Sequence, residues 1–549
     1  MKLKEKIYNL YSTLKKSTEK FPLTISTILV LTVIYAINLD NDYIKENTLI
    51  NITLFGGIFA SSNFFIETIM ENKSKKRILY CIISAIISVI FTYASNIDSN
   101  FCGMENEIFL GRLARLIVCY LISSVVLSIY FNYKKSNKTF EEYTRSIFIN
   151  IFKSSVVYGI LSIGIATITA IFIYLILDGD DYTLIARMEI LLLGIYYIPT
   201  IIYSFYNVEE EIAKFAKIII KYVLGTLLIT AFIIIYMYIV KIIVLRDMPS
   251  NQIFRILAIL FILGCPIWTM IGAFKEEQII DKVNVKLPLL FIPFIILQIY
   301  SIFVRIENNG ITESRYLCIM LIIFEIIYTL IYLKKKEKIG LILLVFIVLT
   351  MISSIIPYIN MFKISELSQY NNLKIYKQKT DYTQEDKDKI YGAYYYLKYS
   401  EQGEKYINKV LTTDEQEQIK KFKTSNIKYD KNEYVSASTN VEYINIDGYK
   451  KLYNIEARNY NVKNKNIDEI FKNLELKLEN NQKIIYIDIL SNVRQYIENE
   501  ENLQRNFETM NEIQFDNNKK MIIKSFHISY NEVNEEVESY SIDGYLLER

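Results

Sequence analysis

Glu325 is an acid in an apolar setting, within Ile322-Ile323-Phe324-Glu325-Ile326-Ile327. A carboxylate at the centre of a bilayer costs a few kcal/mol or more, so it must be protonated, paired or beside water. The chemical reading is a proton relay or an ion site. The structural reading is a protonated acid bonded to a neighbouring helix, and the lack of a second mid-span acid or base favours it. A second set of residues is basic. Arg112, Arg115, Arg187, Lys241, Arg246, Arg255, Arg305 and Arg315 fall at the ends of apolar runs, all on one side of the reading below. Such a ring suits an anion, as a lipid headgroup or a phosphate-bearing carrier. The competing reading is pairing with acids of the same loops: Asp98, Glu105, Glu107, Asp178, Asp180, Asp181, Asp247, Glu307 and Glu313. A third feature is Asp40-Asn41-Asp42, directly after the first apolar run. Membrane glycosyltransferases acting on lipid-linked sugars carry an acid in their first outer loop. A solvated polar loop explains the same residues.

Other chemistry is excluded. The single His527 rules out a multi-histidine metal site and every Ser-His or Cys-His pair that does not use it. No metal-ligand spacing, phosphate-cradling Gly loop or nucleophile motif occurs, so neither cofactor nor metal is expected. Net charge is only +3, which asks for no nucleic-acid partner.

The elements that must position these residues are membrane helices. The 549-residue chain is 52% hydrophobic with mean hydropathy +0.20, high for a chain that folds in water. A spanning helix needs about 20 mostly apolar residues. Eleven runs qualify, near 21–38, 48–70, 78–97, 113–133, 146–177, 183–206, 218–245, 253–274, 287–304, 316–333 and 339–360. The fifth is too long for one span, and its start is expected to lie along the interface. With the N-terminus inside, the inside segments hold 23 Lys and Arg and the outside loops five. The positive-inside rule therefore puts the N-terminus in the cytoplasm and, after an odd number of spans, the C-terminus outside. Arg115, Arg187, Lys241 and Arg255 then lie within a turn or two of the outer surface and can snorkel, as can Lys221 near the inner one.

Three segments follow: a leader over 1–20, a transmembrane bundle over 21–360 and an exported α+β domain over 361–549. The last holds 28 Lys and Arg against 32 Asp and Glu, with no Pro or Cys. Thr383-Gln384-Glu385-Asp386 reads as a helix start. Tyr391, Tyr394, Tyr395, Tyr396 and Tyr399 make the following helix aromatic on several sides. That suits core plus interface, with a carbohydrate platform as the functional alternative. Strands are expected at 434–435, 441–446, 449–455 and 484–489, a helix at 467–478, and a terminal hairpin of 521–530 against 537–547. Ile446-Asp447-Gly448-Tyr449 recurs as Ile542-Asp543-Gly544-Tyr545, and Asp-Gly is turn chemistry.

Near the tenth run stands Asn309-Gly310-Ile311-Thr312-Glu313-Ser314-Arg315-Tyr316. The next run ends at Pro357, followed by Ser365-Glu366-Leu367-Ser368-Gln369-Tyr370-Asn371-Asn372-Leu373. With Phe21-Pro22-Leu23, these residues resemble the uncharacterised bacterial multi-pass membrane proteins catalogued as domain of unknown function four-one-five-three. That family shows G-I-T-x-x-R-Y, then a Pro, then S-x-x-S-Q-x-x-R-L. Asn372 stands where the family usually has Arg. The resemblance implies a membrane protein and no particular reaction. Locally, Gly310 suits a turn needing positive φ, Thr312 a helix cap, Glu313 the helix dipole and Tyr316 an interfacial belt. Arg315 is left without a local reason.

The expectation is an integral protein of a bacterial plasma membrane, in contact with the bilayer. Its leading role is an envelope-associated sensor or assembly protein whose exported domain meets an extracytoplasmic protein or cell-wall partner. A transporter, or a transferase acting on lipid-linked substrates at the outer face, is the alternative.

Overall fold

The computed structural model describes residues 12–39, 44–70, 75–96, 104–174, 182–208, 214–245, 253–274, 279–379 and 381–420, and most of 432–549. By its contacts the chain forms two units, Met1–Thr424 and Ser425–Arg549. The unit boundary lies beyond the rise in charge density at 361, because the helices just after the last span pack on the bundle.

The first unit is helical. A short helix α1 (Ser12–Lys20) meets α2 (Pro22–Asn38) at a bend of 112°. Among the described residues, ten helices long and apolar enough to cross a membrane follow: α3 (Glu46–Ile69), α4 (Lys75–Ser95), α5 (Met104–Lys135), α6 (Phe140–Phe172), α7 (Thr183–Ser204), α8 (Phe215–Leu245), α9 (Ile253–Gly272), α10 (Asp281–Asn309), α11 (Glu313–Lys334) and α12 (Lys336–Ser354). With the shorter α2 the count reaches eleven. Pro22 starts α2, and Pro293 restarts α10 just after its break at Phe291, positions where a missing N–H leaves no helical hydrogen bond unmade. The α6 helix is one continuous element from a Thr139–Glu142 capping box, so no separate interfacial segment precedes it. At about 1.5 Å per residue its 33 residues exceed the hydrocarbon thickness by several turns.

The helices are inside-out relative to a protein that folds in water. In α4, Ser84 and Ser88 are buried while Ile82, Ile86, Val89 and Ile90 are exposed. Lipid tails accept the isoleucines, so association rests on small and polar residues that let helices approach. Bonds between helix ends fix the weave. Glu67 at the end of α3 meets Leu23 at the start of α2 and Arg77 at the start of α4. Lys135 closing α5 donates to Thr68 and Ile69 of α3. Tyr143 opening α6 donates to Phe205 after α7, and Arg145 to Ala273 after α9. Lys221 early in α8 meets Asp281 opening α10, and Tyr332 late in α11 donates to Val285. These groups gather at one end of the bundle, the end where α2 begins. At the other end, Tyr316 opening α11 donates to the Ile359 carbonyl beyond α12.

Among the described residues this unit continues with α13 (Met361–Leu373), a single helical turn over Ile375–Gln378, α14 (Gln384–Lys398), α15 (Gly403–Val410) and α16 (Thr413–Lys420). The expected Thr383 cap is present as a capping box with Asp386. The tyrosines of α14 divide as core and surface: Tyr394 is buried, Tyr396 bonds Glu313, and Tyr399 is exposed.

The second unit is an antiparallel sheet with helices on one face. Its strands are β1 (Asn432–Ser438), β2 (Lys451–Asn459), β3 (Leu474–Leu478), β4 (Lys483–Ile487), β5 (Glu512–Asp516), β6 (Lys519–Asn531) and β7 (Val537–Glu548). The order is β1-β6-β7-β2-β3-β4, with β5 also on β6. Helices α17 (Ile467–Phe471) and α18 (Leu490–Glu498) supply Phe471, Val493 and Tyr496 to a core shared with Ile455, Phe526 and Ile542. The terminal hairpin is β6–β7. The expected helix over 467–478 is a helix only to Phe471, after which alternating Leu474, Leu476 and Leu478 enter the core as β3. The expected strand at 441–446 lies mostly outside the described residues. The repeated Asp-Gly pairs differ: Gly448 has φ 83° in a turn, whereas Gly544 lies inside β7. There an added Cβ would sit 2.1 Å from the Ile522 carbonyl oxygen, which is what requires glycine. His527 pairs with Ser436 and Ser541 in the sheet.

Candidate functional site

At the end of the bundle away from the start of α2, the two sequence motifs meet. Gly310 closes α10 with φ 73°, as a turn there demands. Gln369 of α13 donates from Nε2 to the Asn309 and Ile311 carbonyls, each at 3.0 Å, and Ser368 accepts from the Ile311 N–H at 2.8 Å. Arg315 donates to the Gly310 carbonyl at 2.5 Å. That bond gives Arg315 its reason, which is to hold the turn between α10 and α11. One local expectation changes, because Thr312 makes no side-chain cap bond. Tyr316, in the first turn of α11, is buried and donates to the Ile359 carbonyl. Glu313 instead accepts from Tyr396 at 2.5 Å, joining α11 to α14. Burial, with Glu313 beside it, raises the Tyr396 hydroxyl above its ordinary value.

Beside this knot lies a cavity of about 400 Å³. Arg112 and Arg115 of α5 form one wall, and the α12–α13 corner with Pro357, Tyr358, Phe362 and Lys363 forms another. Glu401, in the turn between α14 and α15, bridges the two arginines. Its Oε1 lies 2.9 Å from Arg112 Nε and its Oε2 3.0 Å from Arg115 Nη2. Arg115 also lies 4.0 Å over the Phe362 ring. Behind them Glu366 is 3% exposed and accepts the Gln402 N–H at 2.8 Å. Burial pushes its carboxyl above the ordinary value, and that N–H pulls it part of the way back. Lys363 donates to the Tyr406 hydroxyl. The cavity thus joins two guanidiniums and an ammonium to an apolar rim of Leu116, Ile355 and Tyr358. Those groups can hold an anion that carries an apolar portion.

The other basic residues do not gather here. Arg255 is exposed on α9, Arg187 is half-buried on α7, and Lys241 is exposed on α8. Asp40, Asp42 and Arg246 lie outside the described residues, as do the side chains of Asp98, Glu105, Glu107, Asp178, Asp180, Asp181 and Asp247. Pairing of the basic ring with acids does occur at Arg112 and Arg115, but through Glu401, almost 290 positions along the chain.

Glu325 is fully buried in α11. Gln298 of α10 donates to its Oε1 at 3.3 Å, leaving Glu325 Oε2 and Gln298 Oε1 each without a hydrogen-bond partner. Around the pair, Phe261, Phe294, Ile322 and Tyr328 form a core in which Trp268 donates to Tyr328 at 2.7 Å. Lys221 corrects a second expectation. It does not snorkel, being fully buried with its Nζ 2.7 Å from Asp281 Oδ2. The π-helical turn Ile219–Leu224 carries it inward, as an extra residue per turn rotates the side chain off the helical register. Sequence reasoning also missed Glu67, fully buried against Arg77 at 2.6 Å. Among the described residues no group of three or more His, Cys, Asp or Glu could hold a metal.

A family model described as "Domain of unknown function (DUF4153)" matches residues 25–392, about two thirds of the chain. No curated protein matches, and no solved structure does.

Proposed function

The chain belongs to the family of Domain of unknown function (DUF4153), and from that premise we propose that this integral membrane protein is an envelope-associated sensor. In this reading it sits in a bacterial plasma membrane with its N-terminus in the cytoplasm and residues 361–549 on the outer side, available to an extracytoplasmic protein or cell-wall partner. The cavity between α5 and the α12–α13 corner takes an anionic amphiphile. One observation carries the reading: Glu401 occupies, with one oxygen on each arginine, the position an anionic ligand would take. The arginines alone would be a binding site. With a carboxylate of the chain already on them they form a latch, because an incoming anion must compete with Glu401. Glu401 lies in the turn joining α14 to α15, so its release loosens the segment that leads on to Ser425–Arg549.

The test is binding of dihexanoyl phosphatidate to the full-length protein in phosphatidylcholine nanodiscs. Arg112→Ala with Arg115→Ala should weaken binding at least tenfold while the variant stays folded, and equal affinity would refute the reading. Placement is tested separately in a cysteine-free background. A Cys at the exposed Ser438 should react with an impermeant maleimide in intact cells, and one at Ser74 should not. The transporter and transferase alternatives draw on Glu325 and on Asp40 with Asp42. Wild-type function in Asp40→Asn/Asp42→Asn removes the transferase.

A further inference from the structure

Among the described residues two carboxyls line the Arg112–Arg115 cavity, Glu401 and Glu366. They sit in different surroundings. Glu401 lies on the arginines and keeps some access to water. Glu366, on α13, is buried, and its Oε1 accepts the Gln402 N–H at 2.8 Å. Gln402 directly follows Glu401 in the turn between α14 and α15. That turn therefore has two holds on the cavity wall, one residue apart. The Glu401 side chain holds the guanidiniums of α5, and the Gln402 backbone holds the carboxyl of α13. In the latch reading, on which this inference rests, release of Glu401 loosens the turn and draws the Gln402 N–H away from Glu366.

Charged and titratable groups face Glu366 from each side. Lys363 lies one turn earlier on α13, its ammonium donating to the Tyr406 hydroxyl of α15. Glu313 faces it from α11 and Tyr396 from α14, the phenol donating to that carboxylate. Glu401 faces it from the turn, and Arg112 and Arg115 of α5 stand across the cavity. Burial favours the neutral acid most strongly; the Gln402 N–H is the largest pull the other way, ahead of Lys363, and Glu401 and Glu313 add to burial. An anion seated on the arginines puts back the negative charge that Glu401 takes away, so its arrival gives Glu366 no relief. The Gln402 N–H is meanwhile lost. A dry carboxylate without that donor bears its desolvation uncompensated, and a proton removes the cost.

We propose that this cavity binds its anion together with a proton, the anion on Arg112 and Arg115 and the proton, taken from water, on the Glu366 carboxyl. A singly charged anion and its proton then add no net charge to the cavity. Glu366 holds its proton more tightly with the anion bound than with the latch closed. Anion affinity therefore rises as pH falls between those two values and is level above and below them. A difference of one unit between them gives a rise of about tenfold.

The experiment is calorimetric titration of the full-length protein in phosphatidylcholine nanodiscs with dihexanoyl phosphatidylglycerol, a phosphodiester whose single charge stays constant over the range used. Each titration is run in two buffers of different ionisation enthalpy, from about pH 8 to about pH 5, so that the difference in heat counts the protons taken up. Wild type should take up a proton in part of that range, with affinity rising about fivefold or more as pH falls. Glu366→Gln keeps an acceptor for the Gln402 N–H and should bind with no proton uptake and a flat pH profile. Glu313→Gln should keep the uptake. The wild-type heats decide the matter even where a variant folds poorly. Binding that Arg112→Ala/Arg115→Ala weakens but that takes up no proton overturns the coupling and leaves the latch standing. Uptake that persists in Glu366→Gln, or vanishes in Glu313→Gln, also overturns it. The absence of any arginine-dependent binding overturns latch and coupling together.

Discussion

Removing the charge from Glu401 is the most direct probe of the latch. Its carboxylate holds two guanidiniums, but unequally. Arg112 is 57% exposed at the side chain, so water and salt screen most of that attraction. Arg115 is 21% exposed and Glu401 17%, so the second pair carries most of the energy. An exposed ion pair is worth up to about 1 kcal/mol, and a charge-assisted hydrogen bond about 1.5–3 kcal/mol. The whole bridge is therefore worth about 1–2 kcal/mol. Glu401→Gln keeps the shape and one acceptor and loses most of that energy. A ligand that must displace Glu401 gains what the bridge loses, so its affinity should rise about 5- to 30-fold. The assay is titration of dihexanoyl phosphatidate onto the nanodisc-embedded protein at low and high salt, with Glu404→Gln as the control. Glu404 is an exposed acid three residues on, so its change alters net charge equally. Equal gains in both variants would mean bulk electrostatics. Unchanged or weaker binding in Glu401→Gln would refute the idea that this carboxylate stands in for a ligand.

Other outcomes follow from the same end of the bundle and from its interior. Gly310→Ala should destabilise the protein by about 1 kcal/mol or more, since φ is 73° and an added Cβ would lie 2.6 Å from Asn372 Nδ2 and 2.9 Å from Ser368 Oγ; a melting curve equal to wild type would count against the turn. Glu366 titrates above its ordinary value because it is buried, so its contribution to stability is complete below about pH 4.5 and is lost as pH rises through the folded-state value; Glu366→Gln should flatten that part of a Tm–pH profile. Asp386, lowered by its bond to Lys379, acts with the opposite sign, and its contribution fades as pH falls below about 3.8. Glu325→Gln should fold and function, because a side-chain amide can accept from Gln298 Nε2 and donate to Gln298 Oε1, whereas Glu325→Leu should lose an interhelical bond worth about 1 kcal/mol; a folded but inactive Gln variant would move the protein to the transporter class.

What was legible in the sequence was local. Span length and apolar content located the membrane helices, Gly310 marked its own turn, Thr383 with Asp386 announced a capping box, and alternation delivered the β6–β7 hairpin. What failed needed a partner from elsewhere in the chain. Lys221 reads as a snorkelling lysine until Asp281, on another helix, is brought against it. Leu474 and Leu478 continue a helical stripe from Ile467, Ile470 and Phe471 unless the pairing of Leu474 with Ile487 and of Leu476 with Ile485 is known. Glu401 carried no local signal, for it lies in a short polar turn and acquires meaning only from Arg112 and Arg115. Arg315, unexplained by its neighbours in the helix, is explained by a carbonyl in the preceding turn.

Charged pairs at the two ends of the bundle differ in their access to water. At the end where α2 begins, Glu67–Arg77 and Lys221–Asp281 are buried pairs at 2.6 and 2.7 Å with almost no access to water. Glu67 is further bonded by Leu23 N–H and by Thr24 Oγ1 at 2.8 Å. Removing one partner of such a pair leaves a bare buried charge at a cost of about 3–5 kcal/mol, so an incoming anion cannot open it. These pairs tie α2 to α3 and α4, and α8 to α10, whatever the surroundings hold. At the other end the bridge through Glu401 is half-solvated, borders a cavity and is worth only about 1–2 kcal/mol. That is within reach of a ligand that replaces one carboxylate by another anion on the same two arginines. The end where α2 begins also holds the partly solvated Lys336–Glu141 pair at 2.7 Å, so what sets the Glu401 bridge apart is that it borders a cavity large enough for a ligand. In the proposed reading, the helix–turn–helix carrying Glu401 is the part of this unit on which an anion acts.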